Sequence, residues 1–241
     1  MMVPVNVFCI PFAGGNKYSY REYEQCAPAH INIIPLEYPG RGSRIREGFI
    51  KDMDALVDDI YQQMSKVGFQ HNYAIYGHSL GGVVALFLAR KILAERQRKP
   101  LHLFITGTTG PSSPARQAKK RYLLSKEDFI EELKELDGCP EEILNNPEML
   151  DYFEPILRAD FEVSETFNYV PAHPLDLSLT VITGTEEDME TEDIRMWQLE
   201  TSRLVDFRQM PGKHFFIFNN AAEILNIISE KILLHTKAIF L

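Results

Sequence analysis

The chain has no apolar run long enough to cross a bilayer, only three cysteines and no surplus of positive charge. Each shortage excludes a class of protein. Its longest apolar stretches, such as Val83 to Ala89, fall well short of the roughly 20 residues that a membrane-spanning helix needs. The opening MMVPVNVFCIPF has no basic segment followed by an apolar core and a small-residue cleavage site, so the expected compartment is the cytoplasm. Three cysteines, Cys9, Cys26 and Cys139, cannot all pair, and no two stand at metal-ligand or redox spacing. All three read as reduced and structural. With 25 Lys and Arg against 34 Asp and Glu, the formal net charge is −9. That argues against nucleic acid as the main partner, because phosphate binding rests on cationic contacts. Internal repeats and low-complexity segments are also missing.

What is present suits an ordinary globular protein. A length of 241 residues with 45% hydrophobic content can supply a sizeable core. Short apolar runs at 5–10, 31–36, 73–76, 101–106, 177–183 and 204–210 alternate with helical patterns. That alternation predicts one α/β domain over 1–241, with a mostly parallel central sheet covered by helices on both faces. Asp52 stands where it can cap a helix whose Met53, Leu56, Val57, Ile60, Met64 and Val67 share a stripe. A last helix is expected near 219–235, with Ile224, Leu225, Ile228, Ile232 and Leu233 on its apolar face. Residues 112–174 break the alternation with helical patterns alone, starting where Ser125 and Asp128 resemble a capping box. Helices inserted between two strands of an open sheet lie over the carboxyl edge where such sheets bind ligands, so this segment reads as a lid.

The strongest local signal is YAIYGHSLGGVVALFLARKI, where a buried strand meets Gly77-His78-Ser79-Leu80-Gly81 and then a helix. Between a strand and a helix, Gly-x-Ser-x-Gly forms a nucleophile elbow that exposes the serine at a helix N-terminus. Ser79 then needs a base. A lone histidine is usually structural, but His214 follows an expected strand and a Pro-Gly turn ahead of the last helix, which is where a catalytic loop belongs. His78, next to the serine on a tight turn, is better suited to ordering the elbow. Between Ser79 and His214 comes TGTEEDMETED, and the chain order nucleophile, acid, histidine is that of the α/β-hydrolases. One carboxylate of this loop should serve the imidazole, with Glu187 and Asp188 the contenders and Glu186 on the wrong part of the turn. The oxyanion hole needs the amide of Leu80 and one from the loop after the first strand, where IPFAGG makes Ala13 the expected donor. That glycine-rich loop could instead cradle phosphate, but no Gly-Lys-Ser/Thr follows it. Arg41, Arg44 and Arg46 form one basic cluster, and Arg116, Lys119, Lys120 and Arg121 another; each is either a solvated face or a site for an anionic group.

FCIPFAGG, LEYPGRG, YGHSLGG, LRADF, TGTEED and PGKHFFI, in this order, resemble the type II thioesterases that accompany nonribosomal peptide and polyketide synthetases. The resemblance spans nearly the whole chain. It implies an α/β-hydrolase with a helical lid that hydrolyses wrongly loaded acyl groups from the phosphopantetheine arm of a carrier protein. On that basis Ser79 is the nucleophile, His214 the base, and Ala13 with Leu80 the oxyanion donors. The family's acid is usually Asp three residues after the glycine of its loop, which is Glu187 here; residue type favours Asp188, and the expectation leans to Asp188. The resemblance also implies no resident cofactor or metal, since phosphopantetheine arrives on the substrate, and a monomer whose basic clusters meet the arm's phosphate or an acidic carrier surface. Two other functions stay open: release of medium-length chains from a fatty acid synthase, and a non-catalytic partner of a synthetase.

Overall fold

The computed structural model describes residues 3–117, 119–136 and 146–238. Within them lie six strands, β1 (Val5–Ile10), β2 (Ile31–Pro35), β3 (Tyr73–His78), β4 (Leu103–Thr106), β5 (Leu179–Gly184) and β6 (Asp206–Met210). They form one sheet in the order β2-β1-β3-β4-β5-β6, and every neighbouring pair is parallel. The expected runs correspond to these strands, although β4, β5 and β6 each begin two residues later than their apolar stretches do. The fold is that of the α/β-hydrolases.

Parallel strands need crossovers, and helices supply them. The longer connecting helices are α1 (Arg21–Cys26), α2 (Met53–Val67), α3 (Leu80–Ala94) and the inserted α4 (Lys126–Glu135) and α5 (Pro147–Thr166); a short helix over Thr191–Arg195 lies between β5 and β6, and α6 (Ala221–Ala238) follows the last strand. Successive strand side chains point to opposite faces. Phe8, Ile10, Tyr73, Ile75, Leu103 and Ile105 therefore pack with α2 and α3 on one face. Val7, Cys9, Ala74, Tyr76 and Phe104 pack with α1 and α6 on the other. The Asp52 side chain caps α2 by accepting from the Ala55 amide at 2.9 Å, and the predicted stripe is buried except for Val67, which is exposed. Cys9 is buried and Cys26 exposed, neither in a disulfide, so of these two only Cys9 packs in the core; Cys139 lies outside the described residues.

The insertion expected over 112–174 comes between β4 and β5. Its Ser125 caps α4, accepting from the Asp128 amide at 3.1 Å while its hydroxyl donates to the Asp128 carboxylate at 2.9 Å. Phe129, Leu133 and Leu157 give this layer a small core of its own. Because β1 leads outward to β2 and the chain then returns to β3 on the other side, the loops after β1 and β3 diverge at a switch point. A crevice opens there at the carboxyl ends of the strands.

Candidate active site

Ser79 ends β3 and starts α3 with φ 53° and ψ −118°, one of two non-glycine residues among those described with positive φ. Such a backbone costs on the order of 1–3 kcal/mol and persists only where the surroundings enforce it. The enforcement is visible at Gly81, where a β-carbon would land on the Ile10 carbonyl and within 2.6 Å of the Pro11 oxygen. The turn can therefore close only without a side chain. The Ser79 amide donates to the Thr106 carbonyl at 2.8 Å, tying the elbow to β4. Leu80 is the first residue of α3, so its amide has no acceptor within the helix.

Ser79 and His214 line the same cavity, of about 190 Å³, together with Phe12, Ala13, Leu133 and Phe161. Its walls thus come from the loop after β1, the elbow, the loop after β6 and the inserted helices. His214 Nδ1 lies 2.7 Å from Glu187 Oε1, and the other oxygen of that carboxylate accepts the Gly184 amide at 2.6 Å. A carboxylate only accepts, so in a neutral ring this contact makes Nδ1 the donor and Nε2 the acceptor. The Glu187 side chain is 3% exposed.

The lean towards Asp188 is corrected by this geometry: Asp188 is exposed, and the carboxylate on the ring is that of Glu187. Glu186 is exposed as well, as its place in the turn implied. Counting three residues on from Gly184 was a better guide than preferring aspartate.

His78 is fully buried, 4.8 Å ring to ring from His214, with Nδ1 3.0 Å from the Thr106 hydroxyl. Burial first, and the neighbouring His214 second, hold its pKa well below the ordinary imidazole value. It is a neutral platform beside the His214 ring. Phe215 packs edge-on against His214 at 5.1 Å and against Phe12 at 5.0 Å, forming an aromatic wall.

The basic clusters are divided between internal pairing and exposure. Arg41 is buried against Asp160, and Arg44 pairs with Glu47 and Asp59. Lys119 and Arg121 pair with Glu132, and Arg121 also reaches Glu165. Arg116 is held by the Thr109 and Gly110 carbonyls at 2.6 and 3.0 Å, and burial lowers its pKa to about 10. Carboxylates and carbonyls of the chain pair with most of these cations, while Arg46, Lys119 and Lys120 are exposed.

Comparison with known proteins sets this geometry in a family. The model of the thioesterase domain matches residues 5–232. The gramicidin S biosynthesis protein GrsT of Aneurinibacillus migulanus is 31% identical over 95% of this chain and 89% of its own. The medium-chain S-acyl fatty acid synthase thioesterase of Homo sapiens is 30% identical over 90% and 82%. Among solved structures, ClbQ from the colibactin NRPS/PKS pathway superposes with a TM-score of 0.92 at 28% identity, covering 98% of this chain and 99% of its own.

Proposed function

The chain belongs to the thioesterase family, and from that premise we propose that it is a type II, editing thioesterase. It hydrolyses misloaded acyl groups from the phosphopantetheine arm of carrier-protein domains in nonribosomal peptide and polyketide synthesis. The observation that carries the catalytic reading is the His214–Glu187 pair, which leaves Nε2 available on a cavity that Ser79 shares. Similarity to GrsT and ClbQ over nearly full length supports the pathway class.

The reaction is two-step acyl transfer. Ser79 Oγ attacks the thioester carbonyl as its proton passes to His214 Nε2, and Glu187 stabilises the imidazolium. The amides of Ala13 and Leu80 hold the oxyanion, where a donor is worth about a hundredfold or more in rate. Collapse breaks the carbon–sulfur bond, and Nε2 returns its proton to the leaving thiol. Water, deprotonated by the same nitrogen, then attacks the acyl-serine, releasing the free acid and restoring the hydroxyl. The route uses no resident metal or cofactor, and the chain acts as a cytoplasmic monomer with α4 and α5 as its lid. The cavity of about 190 Å³ at Ser79 adjoins a second of about 550 Å³ that shares Ala115, Arg116, Leu136 and His214 with it.

The similarity to the human medium-chain enzyme makes chain length the discriminator between the two enzymatic readings. In a panel of acyl groups on pantetheine and on intact carrier protein, acetyl and other short chains are expected to be hydrolysed faster than octanoyl. Faster octanoyl release would instead support the fatty-acid reading. Ser79→Ala is expected to abolish hydrolysis on every substrate; unchanged turnover would eliminate the enzyme assignment in favour of a binding partner.

A further inference from the structure

Two of the motifs, PGRG and LRADF, contribute nothing to the mechanism as written, yet their charged residues meet in the interior. Asp160 of α5 and Arg41 of the turn after β2 form a two-pronged ion pair, Nη1–Oδ2 at 2.5 Å and Nη2–Oδ1 at 2.7 Å. The Arg41 and Asp160 side chains are only 4% and 3% exposed. The same Oδ2 accepts the Gly14 amide at 2.7 Å, and Arg41 Nη1 also reaches the Gly15 carbonyl at 3.3 Å. Three segments distant in sequence thus converge on the loop after β1.

We propose that Asp160, clamped by Arg41, positions the oxyanion loop, and that the lid helix thereby sets the direction of the Ala13 amide. The inference rests on the assignment of Ser79 and Ala13 given above. The peptide plane that bears the Ala13 N–H also bears the Phe12 carbonyl, which accepts the Gly15 amide at 2.9 Å. The following plane bears the Gly14 N–H, which Asp160 holds. With both planes pinned, the Ala13 amide has one direction left to it.

Gly14 has φ +78°, and a β-carbon there would come within 2.6 Å of Leu157 Cδ2, so α5 sits directly on the loop. Stability alone does not explain the choice of residues. Two buried charges cost several kcal/mol to desolvate, and apolar pairs of similar volume are often as stable or more so. The Arg41 Nε is moreover buried without a hydrogen-bond partner. What the ionic pair supplies is a fixed acceptor for one amide, and a link through which displacement of α5 would release the hole.

The test separates positioning from stability. In Arg41→Met/Asp160→Leu both charges are removed together, so melting is expected to stay near that of the unaltered protein while the Gly14 amide loses its acceptor. We expect kcat to fall about 10- to 100-fold, KM to change little, and affinity for an alkylboronic acid, whose adduct on Ser79 needs both amides, to fall by the same factor as kcat. A folded double variant with kcat and boronate affinity within about twofold of the parent would overturn the proposal. If that variant does not fold, Asp160→Asn decides. A parallel fall in kcat and boronate affinity at unchanged KM supports positioning, whereas a lowered melting temperature with both constants intact refutes it. Ser79→Ala is measured alongside. Full activity there removes the nucleophile assignment and this inference with it, while an inactive Ser79→Ala beside an unimpaired double variant removes this inference alone.

Discussion

Glu187 reaches the imidazole because its longer side chain folds back over its own turn. One oxygen accepts the Gly184 amide at 2.6 Å and the other faces His214 Nδ1 at 2.7 Å. Asp188, one residue on, points to water. Both are plausible acids on chemistry alone, and only the register of the loop separates them. The expected consequence is that Glu187→Gln lowers kcat by about 100- to 10,000-fold, since an amide no longer stabilises the imidazolium and can leave the ring in the wrong tautomer. Asp188→Asn should stay within about twofold of the parent, as exposed substitutions usually do. Steady-state hydrolysis of one acyl-pantetheine by both variants checks the pair, and the opposite ranking would return the role to Asp188. That Ser79 and His214 face one cavity was readable because each stands at a junction that sequence punctuates with glycine or Pro-Gly. The role of Asp160 was not, because a carboxylate amid a helical pattern looks the same whether it faces water or an arginine brought from 119 positions away.

At the scale of elements, α4 and α5 do more than cover the sheet. Leu133 and Leu157 belong to the small core of the inserted layer and also line the cavity that holds Ser79. Arg158 ties the layer together, donating to the Tyr122 and Leu124 carbonyls at 3.0 and 2.9 Å while lying 4.3 Å over the Phe129 ring. A larger side chain at 133 should shorten the cavity without touching the catalytic groups. Leu133→Trp is therefore expected to lower kcat/KM for octanoyl by about tenfold or more relative to acetyl, the size of a mismatch in an apolar pocket. Equal losses on both chain lengths would show that α4 does not shape acyl selection. The insertion itself was legible, because a stretch with helical periodicity and no strand stands out in an alternating chain. Its placement over Ser79 was legible only through the general rule on where such sheets bind ligands.

Across the whole molecule, burial of basic groups links fold to pH. His102, ahead of β4, is 3% exposed, with Nδ1 3.2 Å from His235 on α6 and Nε2 2.8 Å from the Thr180 hydroxyl on β5. Burial, reinforced by His235, lowers its pKa from 6.5 to about 3. A base whose pKa is depressed by folding binds fewer protons in the folded state than in the unfolded. Its contribution is complete above about pH 6.5 and is lost progressively as pH falls towards 3. Unfolding free energy should therefore decline below that point, by about 1.4 kcal/mol per pH unit for each such group. In His102→Gln the slope between pH 6 and pH 5, read from denaturant melts, should be smaller by about one proton; an unchanged slope would place the charge sensitivity elsewhere. The sequence by itself determined the order of strands and helices along the chain, the strained turn at Ser79 and the position of His214 in the loop after β6. Periodicity and glycine placement are local, and a chain carries local information openly. Only the tertiary structure decided which acidic residue meets the ring, that Arg41 and Arg44 pair with carboxylates of this same chain, and that Asp160 of α5 accepts the Gly14 amide. Each of these depends on where segments far apart in the chain come to rest, and no pattern along one segment encodes the direction of a side chain towards another.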